Sequence, residues 1–276
     1  MQKYAIPLSI AFSILIVAGS FAYRSGLESA SLEQGGVGGA WPQWGDIGKR
    51  LVEAGVIDAQ KFEDLYADRG GLGKEEKKLL YGDDNGALVV NEDNAGVLLN
   101  LLWAFGIANK NPILEEGPMM DARYGGAGRF ASTGGWTLAR GNAMNHYSKH
   151  PIVILNKEQQ DLVERVSKGI YRPCCNNSTN FPDCNHGMAM LGFLELMAAQ
   201  GFSEEEMYRR ALDLNSLWFP DTYATIAQYL AGEGLSLETA DPREILSSNY
   251  SSASGYKRIL AGIPPTEIRR GSGCGV

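Results

Sequence analysis

The stretch Gly187-Met-Ala-Met-Leu-Gly-Phe-Leu-Glu-Leu-Met-Ala-Ala-Gln200 is apolar on nearly every side. It carries Met188, Met190, Leu191, Phe193, Leu194, Leu196 and Met197, with Glu195 as its only acid. A helix that is hydrophobic all round must be enclosed by other elements. The stretch therefore predicts a central helix wrapped by further helices, and the neighbouring sequence supplies them.

Downstream, Ser203 and Glu206 form a capping box for a helix through about Leu217. Asp221 caps another through Leu230. Asp241-Pro242-Arg-Glu244 reads as a cap, a proline at the first helical position and an acid in the first turn. A last helix spans Ser254 to Ala261. Upstream, Asn156 caps Lys157 to Ile170, and Asn94 to Asn109 is a second strongly apolar helix, closed by Pro112. Asp46 and Asp58 cap two short helices, Gly55 separating them, and Lys74 to Tyr81 forms a charged third. Thr137 to Lys149 is expected to be helical, and Ile152 to Leu155 is the best strand in the chain. Residues 115 to 135 are glycine-rich loop. Gly125 to Gly135 lacks the Gly-Lys-Ser/Thr ending of a phosphate-binding loop and no strand precedes it, so it reads as a structured loop. The expected fold is mainly α: a single compact multi-helix domain with long Gly-rich loops, over residues 46–276.

Residues 1–23 read as a signal peptide or membrane anchor. Lys3 gives a small positive start, Tyr4 to Tyr23 carries no charge, and Ser20-Phe21-Ala22 fits a small-x-small cleavage site. About 20 uncharged residues also suffice to cross a bilayer as an uncut anchor. Residues 24–45 form a flexible tether ending at Trp41-Pro42-Gln43-Trp44, a strap for the domain. The globular part is thus expected outside the cytoplasm, in a bacterial envelope or secreted, touching membrane only through the N-terminal segment. The net charge of −7 and the lack of a Lys/Arg cluster argue against a nucleic-acid partner.

The chemistry concentrates just before the central helix. Tyr171-Arg-Pro-Cys-Cys-Asn-Asn-Ser-Thr-Asn-Phe-Pro-Asp-Cys-Asn-His-Gly187 holds three of the four cysteines and one of the three histidines. Cys174, Cys175, Cys184 and His186 offer three thiolates and an imidazole, enough for a zinc shell or for copper. Adjacent side chains diverge, so Cys174 and Cys175 do not easily share one ion. Cys184 falls at the helix start, where the dipole and free N–H groups lower a thiol pKa. His186 and Met190 lie one helical turn apart. His146 is a further candidate ligand, and with His150 it forms His-x3-His, but Pro151 disfavours helix at His150. Cys274, in the glycine-rich tail, is a possible ligand or disulfide partner. Asp83-Asp84-Asn85-Gly86 with Glu92 mimics a calcium loop, but Tyr81 falls at its first ligand position.

The block Arg172-Pro-Cys-Cys … Phe-Pro-Asp-Cys-Asn-His-Gly-Met-Ala-Met-Leu, with the Gly-Cys-Gly-Val tail, resembles a group of exported bacterial proteins to which no chemistry is assigned. It is also similar to exported bacterial proteins with a Pro-Cys-Tyr-Cys-Gly-Cys motif, suspected metal binders. The resemblance implies an envelope protein with a sulfur-based site.

Three functions follow as expectations. The first is an exported metal-binding protein, for copper or zinc, with a Cys/His site that is open to redox chemistry. The second is a thiol-disulfide protein in which Cys184 attacks and Cys174 or Cys175 resolves. The third is a disulfide-stapled envelope module that binds another protein through Trp41, Trp44 and Trp218.

Overall fold

Twelve α-helices and one two-stranded ribbon make up the fold over residues 40–263, the part of the chain that the computed structural model describes. The apolar N-terminal run, the tether up to residue 39 and the tail carrying Cys274 lie outside the described residues. No helix among the described residues is long and apolar enough to cross a membrane.

In chain order, β1 (Gln43–Gly45) precedes α1 (Ile47–Glu53), α2 (Ala59–Ala67) and α3 (Lys74–Tyr81), and β2 (Asn85–Ala87) follows. Next come α4 (Ala95–Ala108), α5 (Pro112–Glu116), α6 (Ala131–Gly134) and α7 (Lys157–Gly169). The chain continues with α8 (Asn185–Ala199), α9 (Glu204–Trp218), α10 (Pro220–Gly232), α11 (Pro242–Leu246) and α12 (Ala253–Gly262). The mainly α class expected from the sequence is what the chain adopts.

The centre is the crossing of α4 and α8, the two apolar helices. Both bury nearly every residue. Their backbones touch: a Cβ on Gly106 would lie 2.1 Å from the Met188 carbonyl oxygen, and one on Gly192 would lie 2.9 Å from that of Leu102. Glycine at these two positions lets the helices approach this closely. Around this pair, α7 presents Val163 and Val166 to α8, and α9 packs Met207, Ala211 and Leu214 inward. Burying each of the valine, leucine and methionine side chains contributes about 1.5–3 kcal/mol, which accounts for helix formation better than propensity does.

Local signals placed most helix starts. Asp58 accepts from the N–H groups of Gln60 and Lys61, and the capping boxes at Asn156/Gln159 and Ser203/Glu206 form as expected. Asp241 accepts from Arg243 N–H with Pro242 behind it, and Ser252 caps α12. Pro112 does not merely close α4: it opens the short α5, capped by Asn111.

Three expectations are corrected. Thr137 to Lys149 is not an α-helix; it contains only a 3-10 turn at Ala143–Asn145. Its backbone is claimed elsewhere, with Arg140 N–H on Gly55 O and Ser148 N–H on Ile107 O. Gly141 and Ser148 both take positive φ. Ile152 to Leu155 is no strand, and Ile154 is 80% exposed. The ribbon instead joins β1 to β2, antiparallel, with Gln43 opposite Ala87 and Gly45 opposite Asn85. The end of the expected tether is therefore structured. Trp44 in β1 is buried and donates Nε1–H to Leu79 O. The calcium-like Asp83–Asn85 run joins the same ribbon, with the buried Asn85 donating to Gly45 O.

Candidate metal and thiol centre

The loop from Tyr171 to Cys184 leaves α7 and enters α8, and neighbours pin it on several sides. Tyr171 N–H donates to Leu246 O at the end of α11, and Asn180 N–H to Ser167 O in α7. Asp183 O accepts from Ser132 N–H of α6. At the start of α12, Ala253 N–H donates to Cys175 O and Ser254 N–H to the Asn176 side chain. Phe181 packs tilted against Tyr124 and edge-on against Phe130, ring centroids 5.3 and 5.4 Å away, which ties the glycine-rich segment to the loop. A loop so clamped can hold its side chains in a fixed array.

That array is sulfur. Cys174 Sγ lies 3.5 Å from Cys184 Sγ, and Cys175 Sγ lies 4.0 Å from it. All three sulfurs fall within 4.8 Å of one another. The three cysteines are free thiols, with no disulfide among the described residues. Cys174 is exposed and the other two are half-buried, so the cluster opens toward solvent through Cys174. The nearby cleft of 670 Å³ is lined by Asn180 and Lys168 but by none of the cysteines. Three thiol ligands this close can hold a metal ion. Divergence of adjacent side chains does not separate Cys174 from Cys175, because the loop bends back so that both reach Cys184.

Cys184 is the N-cap of α8, and its sulfur accepts from Gly187 N–H at 3.3 Å. The expected helix-start environment is present. Its thiol is held well below the usual value by hydrogen bonds from Cys174 and Cys175, then by Arg172, against an opposing effect of burial. Cys174 is pushed upward as the donor partner of Cys175 and Cys184. Cys175 gains from Cys174, but its bond to Cys184 and its burial push it up to about 11. Of the three thiols, Cys184 is therefore the one most readily ionised.

Arg172 is the residue that sequence reasoning missed. It is fully buried, and Nη2 lies 3.2 Å from Cys175 Sγ, 3.4 Å from Cys184 Sγ and 3.3 Å from Asp183 Oδ1. Asn177 donates to the other Asp183 oxygen at 2.8 Å, fixing the carboxylate. Gly187 makes room for the guanidinium, since a Cβ there would lie 2.5 Å from Nη2. A guanidinium stays charged in any protein environment, so a permanent cation faces the sulfurs. Its only sequence signal was its place two residues before Cys174.

The histidines lie outside the sulfur cluster. His186 packs against Phe219 and Trp218, ring centroids 4.4 and 5.6 Å away. Residues two apart on a helix point about 200° apart, so His186 turns inward while Cys184 faces the loop. Burial lowers its imidazole to about 4, with Arg172 adding to the effect and the Cys184 charge opposing it. Met188 and Met190 are buried core side chains. His146 contacts His150 and Arg140 O. Of the residues singled out from the sequence, Cys174, Cys175 and Cys184 meet; His186 and His146 do not join them, and Cys274 is outside the described residues.

Among known proteins, no family model, no curated protein and no solved structure matches this chain.

Proposed function

We propose that Cys174, Cys175 and Cys184 bind one thiophilic metal ion, copper or zinc, through three thiolates, with Arg172 as a built-in counter-cation. The sulfur spacing carries this reading. Thiolates about 2.3 Å from a tetrahedral ion lie about 3.8 Å apart. The distances of 3.5 and 4.0 Å straddle that edge and are far from the ~2.05 Å of a disulfide. The guanidinium beside the sulfurs supports it too, since it offsets part of the negative charge that three thiolates would carry. The apolar N-terminal run and the likeness of the cysteine block to exported bacterial proteins favour an envelope location for the site.

A tetrahedral ion wants a fourth ligand, and Cys274 is within reach of it. The start of α12 is hydrogen-bonded to Cys175, and a helix of ten residues rises about 15 Å. Ten residues lie between Ile263 and Cys274, and the eleven steps across them can span up to about 36 Å.

Metal analysis of full-length protein purified without a nickel column tests the reading. About one ion per chain is expected, lost in Cys184→Ser and weakened in Cys274→Ser. Less than about a tenth of an ion per chain, with added zinc or copper(I) failing to bind, overturns it.

One observation favours a second reading: the activated thiolate of Cys184 has a neighbouring thiol 3.5 Å away at the exposed Cys174. In thiol-disulfide exchange, Cys184 would attack a substrate disulfide, forming a mixed disulfide and releasing one substrate thiolate. Cys174, on losing its proton, would then attack the Cys184 sulfur. The substrate leaves as a dithiol and the protein keeps a Cys174–Cys184 disulfide. A mixed disulfide trapped in Cys174→Ser, but not in Cys184→Ser, would select this reading.

A further inference from the structure

The buried guanidinium of Arg172 has one nitrogen to spare. Nη2 faces Cys175, Cys184 and Asp183, and Nη1 reaches Thr179 Oγ1 at 3.5 Å. Nε is buried and has no hydrogen-bond partner among the described residues. A buried donor left without an acceptor costs about 1–3 kcal/mol, and a native exception calls for a reason such as a redox role. The spare N–H lies beside the first turn of α8: a Cβ on Gly187 would be 3.1 Å from Nε and 2.5 Å from Nη2. That turn starts at Cys184, whose sulfur accepts from Gly187 N–H. A half-buried sulfur, a spare donor on a rigid planar fork and a helix N-terminus therefore meet at one place.

These parts suit a small electrophile whose leaving atom is an oxygen that gains negative charge. A preset cationic donor aimed at such an oxygen lowers the barrier to its departure. Size restricts the choice, because Cys184 is half-buried and the cluster opens to solvent through Cys174. Hydrogen peroxide meets both demands. A second thiol is also in place to take up the oxidised sulfur, since Cys174 Sγ lies 3.5 Å from Cys184 Sγ.

We propose that the cluster reduces hydrogen peroxide, with Cys184 as the attacking sulfur, Arg172 as the donor to the departing oxygen and Cys174 as the resolving thiol. The Cys184 thiolate, its proton already given to solvent, forms an S–O bond to one peroxide oxygen as the O–O bond breaks. The other oxygen leaves as hydroxide beside the guanidinium and takes the proton of Cys174, giving water. Cys184 is now a sulfenic acid. The Cys174 thiolate attacks its sulfur, an S–S bond forms, and the second oxygen leaves as hydroxide, which recovers the solvent proton as water. Two thiols have lost two electrons and the peroxide has gained them. A small dithiol then reduces the Cys174–Cys184 disulfide by exchange. The reaction uses the sulfurs of the metal reading above but no bound metal.

The test uses the reduced, chelator-treated full chain carrying Cys274→Ser, so that every readout comes from the three loop thiols. Its rates with hydrogen peroxide and with iodoacetamide are measured near neutral pH, at a temperature where thermal unfolding shows each variant folded. Peroxide should react at least about tenfold faster than it does with free cysteine, leaving a Cys174–Cys184 disulfide by peptide mass. With Cys174 and Cys175 both changed to serine, dimedone should capture a sulfenic acid at Cys184. Both reagents consume thiolate, so the ratio of the two rates cancels the ionisation of Cys184. Arg172→Lys keeps the charge but gives up the fork, and should lower that ratio at least about fivefold. A smaller advantage over free cysteine, a smaller fall of the ratio in Arg172→Lys, or no dimedone adduct overturns the proposal. Metal content and mixed-disulfide trapping are read on other samples, so this activity can fail while either earlier reading stands, and the reverse.

Discussion

The buried guanidinium of Arg172 and the sulfur of Cys184 are 3.4 Å apart, closer than Cys184 is to either of its neighbouring thiols. A permanent cation thus touches the one thiol that sits on a helix N-terminus. Two positive influences act on the same sulfur, and both favour its thiolate.

Removing the cation should show this directly. Arg172→Met is expected to raise the pH midpoint of Cys184 alkylation by at least about one unit. It should also destabilise the fold by about 3 kcal/mol, because Asp183 loses its buried partner. Arg172→Lys should restore part of the midpoint shift, since a charge returns, but little of the stability, since one ammonium cannot replace both the Nη2 contacts to the sulfurs and Asp183 and the Nη1 contact to Thr179. An alkylation profile unchanged in Arg172→Met would remove Arg172 from the site.

Proton release provides an independent check of three-thiolate binding. Cys184 is held well below the ordinary thiol value, whereas Cys174 and Cys175 are pushed above it. A metal bound by all three must displace the protons of Cys174 and Cys175. Zinc calorimetry in buffers of differing ionisation enthalpy should give about two protons released per ion near pH 7. Apparent affinity should climb as pH rises, by up to about a hundredfold per unit, until those thiols titrate. Release of no protons would mean that only Cys184 takes part.

The space that Gly187 leaves for Arg172 gives a paired substitution test. Gly187→Ala places a methyl group 2.5 Å from Nη2 and is expected to displace the guanidinium, lowering both stability and metal affinity. Gly96→Ala, in α4 with nothing within 4 Å of the added Cβ, should instead stabilise by up to about 1 kcal/mol through helix propensity. Thermal unfolding of the two variants, with metal content measured alongside, checks the contrast. Equal effects would mean that Gly187 is not needed for its clearance.

What the sequence revealed divides by range of interaction. The caps at Asp58, Asn156, Ser203 and Asp241 are set within three residues, and they were readable. The apolar runs of α4 and α8 were readable because enclosure is their only stable outcome. The stretch Thr137 to Lys149 has helical composition, yet its carbonyls and N–H groups bond to Gly55, Ile107 and Asp58, partners from other parts of the chain. The β1–β2 pairing spans some forty residues and left no local mark. In the site, the sulfurs were legible by composition and Cys184 by its helix position. Arg172 was not, since an arginine in a loop is ordinarily solvated and nothing local announces its burial. His186 looked like a ligand because it is near in sequence, whereas helical rotation carries it to the Trp218 and Phe219 side.

Glu195 gives a last prediction, at the one acid of the central helix. It is fully buried, accepting hydrogen bonds from Asn109 and, at 2.6 Å, from Asn111. Burial raises its carboxyl from 4.5 to about 8, the two amide donors only partly opposing this. The folded state therefore holds this proton more tightly than the unfolded chain does. The resulting stability is complete below about pH 4.5 and declines as pH rises toward 8, by at most about 1.4 kcal/mol per unit. Glu195→Gln cannot ionise and should flatten that decline, so chemical denaturation of the two proteins from pH 5 to pH 9 should diverge steadily. Parallel profiles across that range would mean that the carboxylate is stabilised where it sits.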